Sequence, residues 1–172
     1  SSGVTSVNIP SVKNVGKYAF AGCNNLSSVT LGDLDYIGDY AFYNAKITSL
    51  PTFGNITTIG RYAFASTSIK NVDIPDGMRV GNYAFYDCLS LSEVNIGDNV
   101  VIGDYAFYYD IVKHWNGEDG IVRGEDKKYR YEFSSPLISL TIGDNAVIGE
   151  SAFEGAASLE SVTLGEGATI GA

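Results

Sequence analysis

The stretch Ile37-Gly38-Asp39-Tyr40-Ala41-Phe42 decides how this chain is read, because it returns at a fixed interval. Upstream it is Val15-Gly16-Lys17-Tyr18-Ala19-Phe20. Downstream it recurs as Ile59-Gly60-Arg61-Tyr62-Ala63-Phe64, Val80-Gly81-Asn82-Tyr83-Ala84-Phe85, Ile102-Gly103-Asp104-Tyr105-Ala106-Phe107 and Ile148-Gly149-Glu150-Ser151-Ala152-Phe153. Ile170-Gly171-Ala172 opens a seventh copy, and the copies lie about 22 residues apart except for one interval of about twice that length, between Phe107 and Phe153. A fixed period of this size is the signature of a solenoid, in which each repeat is one coil.

A second motif runs in phase with the first: Val4-x-x-Val7-x-Ile9, Leu26-x-x-Val29-x-Leu31, Ile69-x-x-Val72-x-Ile74, Leu91-x-x-Val94-x-Ile96 and Leu159-x-x-Val162-x-Leu164. Each reads as a short strand whose last two apolar residues, two apart, share one face while the residue between them points the other way. Ile47, Leu50 and Thr52 fit less well, since Thr52 replaces an aliphatic residue, so that turn is expected to be the least regular. The apolar side chains of one repeat cannot offset the entropy of ordering its backbone. Stacking supplies the rest, through burial between neighbours and strand-to-strand hydrogen bonds.

Together the Tyr-Ala-Phe and Leu-x-x-Val-x-Ile motifs resemble the BspA-like leucine-rich repeats of bacterial surface proteins, over nearly the whole chain. The resemblance implies a leucine-rich-repeat solenoid, an α/β-class repeat fold that is β-rich with little regular helix. Its parts would be a parallel sheet of short strands on the concave side, about seven turns of about 22 residues and one inserted hairpin, with 1–172 a single domain. It also implies a secreted or surface-attached binding protein, extracellular or at the cell surface. Fold alone does not name a ligand, because one scaffold carries many. The repeat phase is cut at both ends, so the stretch is expected to belong to a longer array.

Composition narrows the function. With 20 Gly, 12 Tyr and 8 Phe and no Ala-rich or Leu-rich helical run, the material is strand and turn. A net charge of -9 disfavours nucleic acid and anionic membranes as partners. No apolar run approaches the roughly 18 residues of a membrane span, so direct insertion of this segment is not expected.

The repeat breaks its own rule once. Between Phe107 and Leu140 the chain takes about 33 residues where other copies take 8 or 9, so about 24 residues are inserted within 108–136. It holds the only His, His114, the only Trp, Trp115, and the cations Lys113, Arg123, Lys127, Lys128 and Arg130, about half of the chain's total of 11. Ile121-Val122-Arg123 and Tyr129-Arg130-Tyr131-Glu132-Phe133 flank Gly124-Glu125-Asp126-Lys127, the pattern of a hairpin. Insertions leave a solenoid stack on one side and often carry function, and aromatic and Arg side chains are the usual interface anchors. His114, Trp115, Arg123, Tyr129, Arg130 and Tyr131 are therefore the candidate ligand-binding residues. The competing account is that the hairpin folds over the adjacent turn and packs Trp115 and Tyr131 against it.

Other candidates have plainer explanations. Cys23 and Cys88 hold one place in their repeats three turns apart, roughly 14 Å at the strand spacing, too far for a disulfide. Buried thiols in a small-residue column with Ala45 and Ala156 are expected instead. Gly32-Asp33, Gly97-Asp98, Gly143-Asp144 and Gly165-Glu166 offer one carboxylate per turn, short of the oxygens calcium needs, and read as turns. The column Tyr18, Tyr40, Tyr62, Tyr83 and Tyr105 can in principle hold sugar faces, but its regularity argues for ring-on-ring packing. The outward strand positions are mostly small and polar, with Lys70, Asp73 and Glu93 as the charged cluster. Asp73 and Glu93 give the best case for an enzyme, a polysaccharide hydrolase with paired carboxylates. His114 has no partner, and neither a nucleophile motif nor a phosphate-cradling glycine spacing is present. Asn25-Leu26-Ser27 and Asn55-Ile56-Thr57 are glycosylation sequons, relevant in a eukaryotic secretory host.

The expectation is thus a non-enzymatic recognition domain for an extracellular protein or glycan, with neither metal nor cofactor. The alternative is a structural spacer that displays another domain.

Overall fold

A computed structural model describes residues 3–51, 53–110, 121–123, 129–131 and 135–171, with backbone alone at 54–55, 121–123 and 129–131. Fifteen strands are present among them, numbered here in chain order, with no helix. The Leu-x-x-Val-x-Ile motifs form β1 (Ser6–Ile9), β3 (Ser28–Leu31), β6 (Asn71–Ile74), β8 (Glu93–Ile96), β12 (Ser139–Ile142) and β14 (Ser161–Leu164). All pair in parallel and in register, so that Val72 faces Val94 and Val94 faces Leu140 across the ladder. Alternation does what period-2 geometry demands: Val72, Ile74, Val94 and Ile96 are buried while Asn71, Asp73 and Glu93 are exposed.

A second parallel sheet, not anticipated from the sequence, runs beside the first. It consists of β2 (Asn14–Val15), β4 (Leu34–Ile37), β5 (Phe53–Ile59), β7 (Arg79–Val80), β9 (Val101–Ile102), β13 (Val147–Ile148) and β15 (Thr169–Ile170), seven strands in unbroken succession. The Val-Gly or Ile-Gly pair that opens each repeat is thus the end of a rung. The architecture is a parallel β-solenoid of seven rungs separated by six turns.

The first sheet is interrupted. β1 and β3 pair only with each other, and β6 begins a separate four-stranded sheet, because residues 47–51 form no strand. This is the turn expected to be least regular. Pro51 stands at the position of Asp73 and Asn95, and a proline has no N–H to give a ladder.

Phenylalanine fills the interior. Phe20, Phe42, Phe64, Phe85, Phe107 and Phe153 stack with centroids 5.0–5.3 Å apart, and the Phe107–Phe153 step of 5.1 Å is as regular as the rest. Val101 and Ile102 pair with Val147 and Ile148 in the same register. The rungs on either side of the insertion thus keep their register, and its described ends belong to the coil, with Tyr108 stacked on Tyr86 and Tyr109 and Ser135 buried. Inside the insertion, β10 (Ile121–Arg123) and β11 (Tyr129–Tyr131) form the expected antiparallel hairpin, with Ile121 opposite Tyr131, and pair with no rung among the described residues. Their inner ends, Arg123 and Tyr129, are the expected ones.

Candidate functional site

Of the candidate contact residues, Arg123 ends β10 and pairs with Tyr129, Arg130 pairs with Val122, and Tyr131 pairs with Ile121. One hairpin thus brings four of the six together on its backbone. His114 and Trp115 lie outside the described residues, as does the question of whether Trp115 packs.

The tyrosine column is a ladder of stacked rings. Tyr18, Tyr40, Tyr62, Tyr83 and Tyr105 follow one another at 4.7–5.0 Å with interplanar angles of 20° or less. All five have φ between 54° and 59°, a left-handed conformation that bulky residues rarely adopt and that costs about 1–3 kcal/mol each. Glycine or asparagine would take it more cheaply, as at Gly77, Asn99 and Asn145. The conformation turns each tyrosine N–H toward the next rung, where Tyr18 donates to the Asp39 carbonyl at 3.0 Å and Tyr40 to the Arg61 carbonyl at 2.9 Å. Ring stacking and this inter-rung bond offset the strain.

A second tyrosine row was missed in the sequence. Tyr43, Tyr86 and Tyr108, each just after the phenylalanine, meet the first row edge-to-face at 5.7–6.1 Å. Between the rows runs a groove of about 600 Å³ lined by Tyr40, Tyr43, Tyr62, Tyr83, Tyr86, Tyr105 and Tyr108. Burial and the nearby Asp87 and Asp110 carboxylates, together with a hydrogen bond from the Tyr86 hydroxyl to Asp110 Oδ2 at 2.9 Å, push the Tyr86 phenol well above its ordinary pKa. Burial first, and then Asp110 and Glu154, raise Tyr108. Tyr86 and Tyr108 thus stay phenolic at neutral pH.

The other candidates resolve into structural parts. The Asp98 N–H donates to Asp76 Oδ1 at 2.9 Å, the Asp144 N–H to Asp98 Oδ1 at 2.8 Å and the Glu166 N–H to Asp144 Oδ1 at 2.7 Å. Acidic residues after the strands thus tie one rung to the next. Asn95 donates to both Asp73 Oδ1 (2.8 Å) and Glu93 Oε1 (3.1 Å), bracing the charged cluster on the outer strand face. Cys88 is a buried free thiol that donates to the Phe64 carbonyl at 3.3 Å, and burial pushes its pKa up to about 11. Cys23 is in no disulfide and is only half-buried, contrary to the expected pair of buried thiols. No group of three or more His, Cys, Asp or Glu is placed to hold a metal among the described residues, and no helix there is long and apolar enough to cross a membrane.

The family model of the BspA type leucine rich repeat region matches this chain in six copies, over residues 1–112 and 127–171. The chain belongs to the BspA-type leucine-rich-repeat family. The part that this family's repeat does not account for, 113–126, falls within the insertion. The chain is also similar to the crystal structure of a leucine-rich repeat protein from Bacteroides ovatus, at 22% identity and a TM-score of 0.49, over 95% of this chain and 63% of that one. It spans less than two thirds of that protein. No curated protein matches it.

Proposed function

We propose that this BspA-type domain is a secreted or cell-surface recognition module that binds an extracellular protein or a glycan without catalysis. The insertion makes the contact, through His114, Trp115, Arg123, Tyr129, Arg130 and Tyr131. One observation carries this reading: the coil closes beneath the insertion with Phe107 and Phe153 still 5.1 Å apart. The rungs on either side therefore pack on each other across the insertion, and aromatic residues and cations concentrated in such an insertion suit a partner contact. Membership in a repeat family used as an interaction scaffold supports the same reading.

The test is a binding screen of extracellular matrix proteins and glycans against the intact chain and a form with 108–136 replaced by an ordinary short connection, both checked for folding. Binding lost with the insertion supports the proposal. Retained binding moves the contact to the repeat faces. No binding by either form favours the spacer, in which each turn extends a projecting arm by about 5 Å.

A further inference from the structure

We infer that a hollow on the connector edge of the coil, between Tyr43 and Leu89, seats a neutral sugar residue of a glycan. This rests on the reading of the domain as a recognition module and chooses the glycan among its partners, but it uses no residue of the insertion.

The hollow follows from connector length. Between its phenylalanine and the next strand motif the chain takes five residues at 21–25, 86–90 and 154–158, but four at 43–46 and 65–68. Each longer connector closes an extra turn, in which the Leu26, Leu91 and Leu159 N–H groups donate to the carbonyls of Cys23, Cys88 and Ala156. Residues 24–25 and 89–90, at the tips of two of these turns, are exposed. The two shorter connectors lie on adjacent rungs and have no such turn. They leave a notch two rungs wide, roughly 10 Å at the strand spacing. It encloses about 420 Å³, within the roughly 300–1,000 Å³ of small-ligand sites.

Its chemistry suits hydroxyl groups. Asn44, Lys46, Ser66, Ser68 and Ser90 line it, and among the described residues none of these five side chains has a hydrogen bond or ion pair to the rest of the protein. Thr67, in the same connector, differs, because its hydroxyl donates to the Phe64 carbonyl at 2.8 Å. The main chain is already committed here. The Asn44 N–H donates to the Ala65 carbonyl at 2.9 Å, that of Ser66 to Tyr86 at 2.7 Å and that of Ser68 to Ile47 at 3.1 Å. An extended peptide adds to a sheet through unpaired backbone groups, so this edge offers it little. What is left to a ligand is three hydroxyls, an amide and an ammonium.

Two further features narrow the class. A sugar ring has a carbon-bound face as well as a rim of hydroxyls, and the exposed Tyr43 and Leu89 supply apolar surface at the two ends of the notch. Tyr43 meets Tyr40 edge-on at 5.7 Å and stacks on no ring among the described residues, whereas Tyr86 and Tyr108 cover each other. The lining carries one cation, Lys46, and one carboxylate, Asp87, so it has no net charge to offer an acidic sugar, and the chain's net charge of -9 repels one.

Position links the notch to the rest of the edge. The connector that follows 86–90 along the stack is the insertion, whose Asp110 N–H donates to Asp87 Oδ1 at 3.3 Å. A glycan seated in the notch therefore lies one connector away from the root of the insertion.

The test measures fluorescence anisotropy of labelled neutral glucan, galactan and mannan oligosaccharides and of a labelled oligogalacturonide. Exchanging residues 66–68 for the four that stand at 87–90 gives the short connector the missing turn and fills the notch with a piece the fold already uses. Asn44→Gly removes the amide at a φ of 54°, a place held by Gly22 and Gly155 in other copies, so its fold is kept. At least one neutral oligosaccharide should bind the intact chain. The exchange should weaken it tenfold or more and Asn44→Gly about fivefold, and the oligogalacturonide should bind about tenfold less tightly. The form without the insertion should bind as the intact chain does. Absence of neutral-sugar binding, unchanged binding by either variant, equal binding of the oligogalacturonide, or loss of binding with the insertion overturns the proposal. A blank matrix screen with sugar binding intact sinks only the insertion contact, and matrix binding without any sugar in the notch sinks only the notch.

Discussion

The two parallel sheets are built from the same repeats, yet one runs through seven rungs without a break and the other is cut in two. The unbroken one has rungs as short as two residues, and the broken one uses four-residue strands with the better apolar pattern. Strand length and hydrophobicity therefore do not decide continuity. A glycine follows every strand of the unbroken sheet, whereas β1 and β6 run into Pro10 and Pro75. A Cβ on Gly38 would lie 2.8 Å from the Lys17 amide nitrogen, and one on Gly60 2.6 Å from that of Asp39, closer than real Cβ atoms approach. Each such glycine lets adjacent rungs come together. Four of the longer strands are followed by a glycine as well, at Gly32, Gly97, Gly143 and Gly165, and at the break itself Pro51 removes a donor in mid-ladder.

The strongest way to break this comparison is to load the glycine column. Gly60→Val should destabilise the fold by about 3 kcal/mol through overpacking against backbone. Gly16→Val, at the first rung where nothing lies within 4 Å of the added Cβ, should change stability by less than about 0.5 kcal/mol. Urea denaturation reads both. Equal losses would show that close approach is not what the glycines provide.

The connector that feeds the longer strands has its own weak point in the Cys88 thiol. Its folded pKa of about 11 is raised, so its contribution is complete below the ordinary thiol value of about 8.5 and is lost as pH rises through the folded value. Thermal midpoints should fall between about pH 9 and 11 in the native chain and fall less in Cys88→Ala, since Ala45 holds that place in another repeat. A parallel decline in both proteins would move the alkaline sensitivity to the buried tyrosines. A smaller effect is expected at the acidic ties: Asp98→Ala, which leaves the Asp144 N–H without its 2.8 Å acceptor, should cost about 1 kcal/mol, with Asp98→Asn recovering part of it.

The longer strands were legible because two apolar residues two apart, repeated at a fixed phase, admit one geometry. The insertion hairpin was legible because β-rich runs flanked a Gly-containing turn. The second sheet was not, because a rung of two residues, such as Val101–Ile102, is too short to show a period. Nor was the left-handed backbone at Tyr40 and Tyr62, since nothing in a tyrosine announces a conformation that glycine would normally take. The groove was half visible. The Tyr-Ala-Phe column was read as a stack, but Tyr43, Tyr86 and Tyr108 follow it at a position held elsewhere by Ala21, Ala65 and Glu154. The clue available was that a tyrosine directly follows the phenylalanine in three of the six copies, at Tyr43, Tyr86 and Tyr108.

The finest prediction concerns the break itself. If Pro51 is its cause, Pro51→Thr should let residues 49–51 form a strand between β3 and β6 and turn two sheets into one of seven strands, threonine being what β3 carries at that position. The free-energy change should stay within about 0.5 kcal/mol, because the regained ladder bond is opposed by the greater freedom of the unfolded chain once proline is gone. Stability alone would therefore miss it. Amide hydrogen exchange would not, since pairing on both sides should slow exchange at Ser49 and at position 51, which gains an N–H. Unchanged protection would clear the missing donor without implicating reach, because the four residues between Phe42 and Ile47 match the four between Phe64 and Ile69, which feed an intact β6.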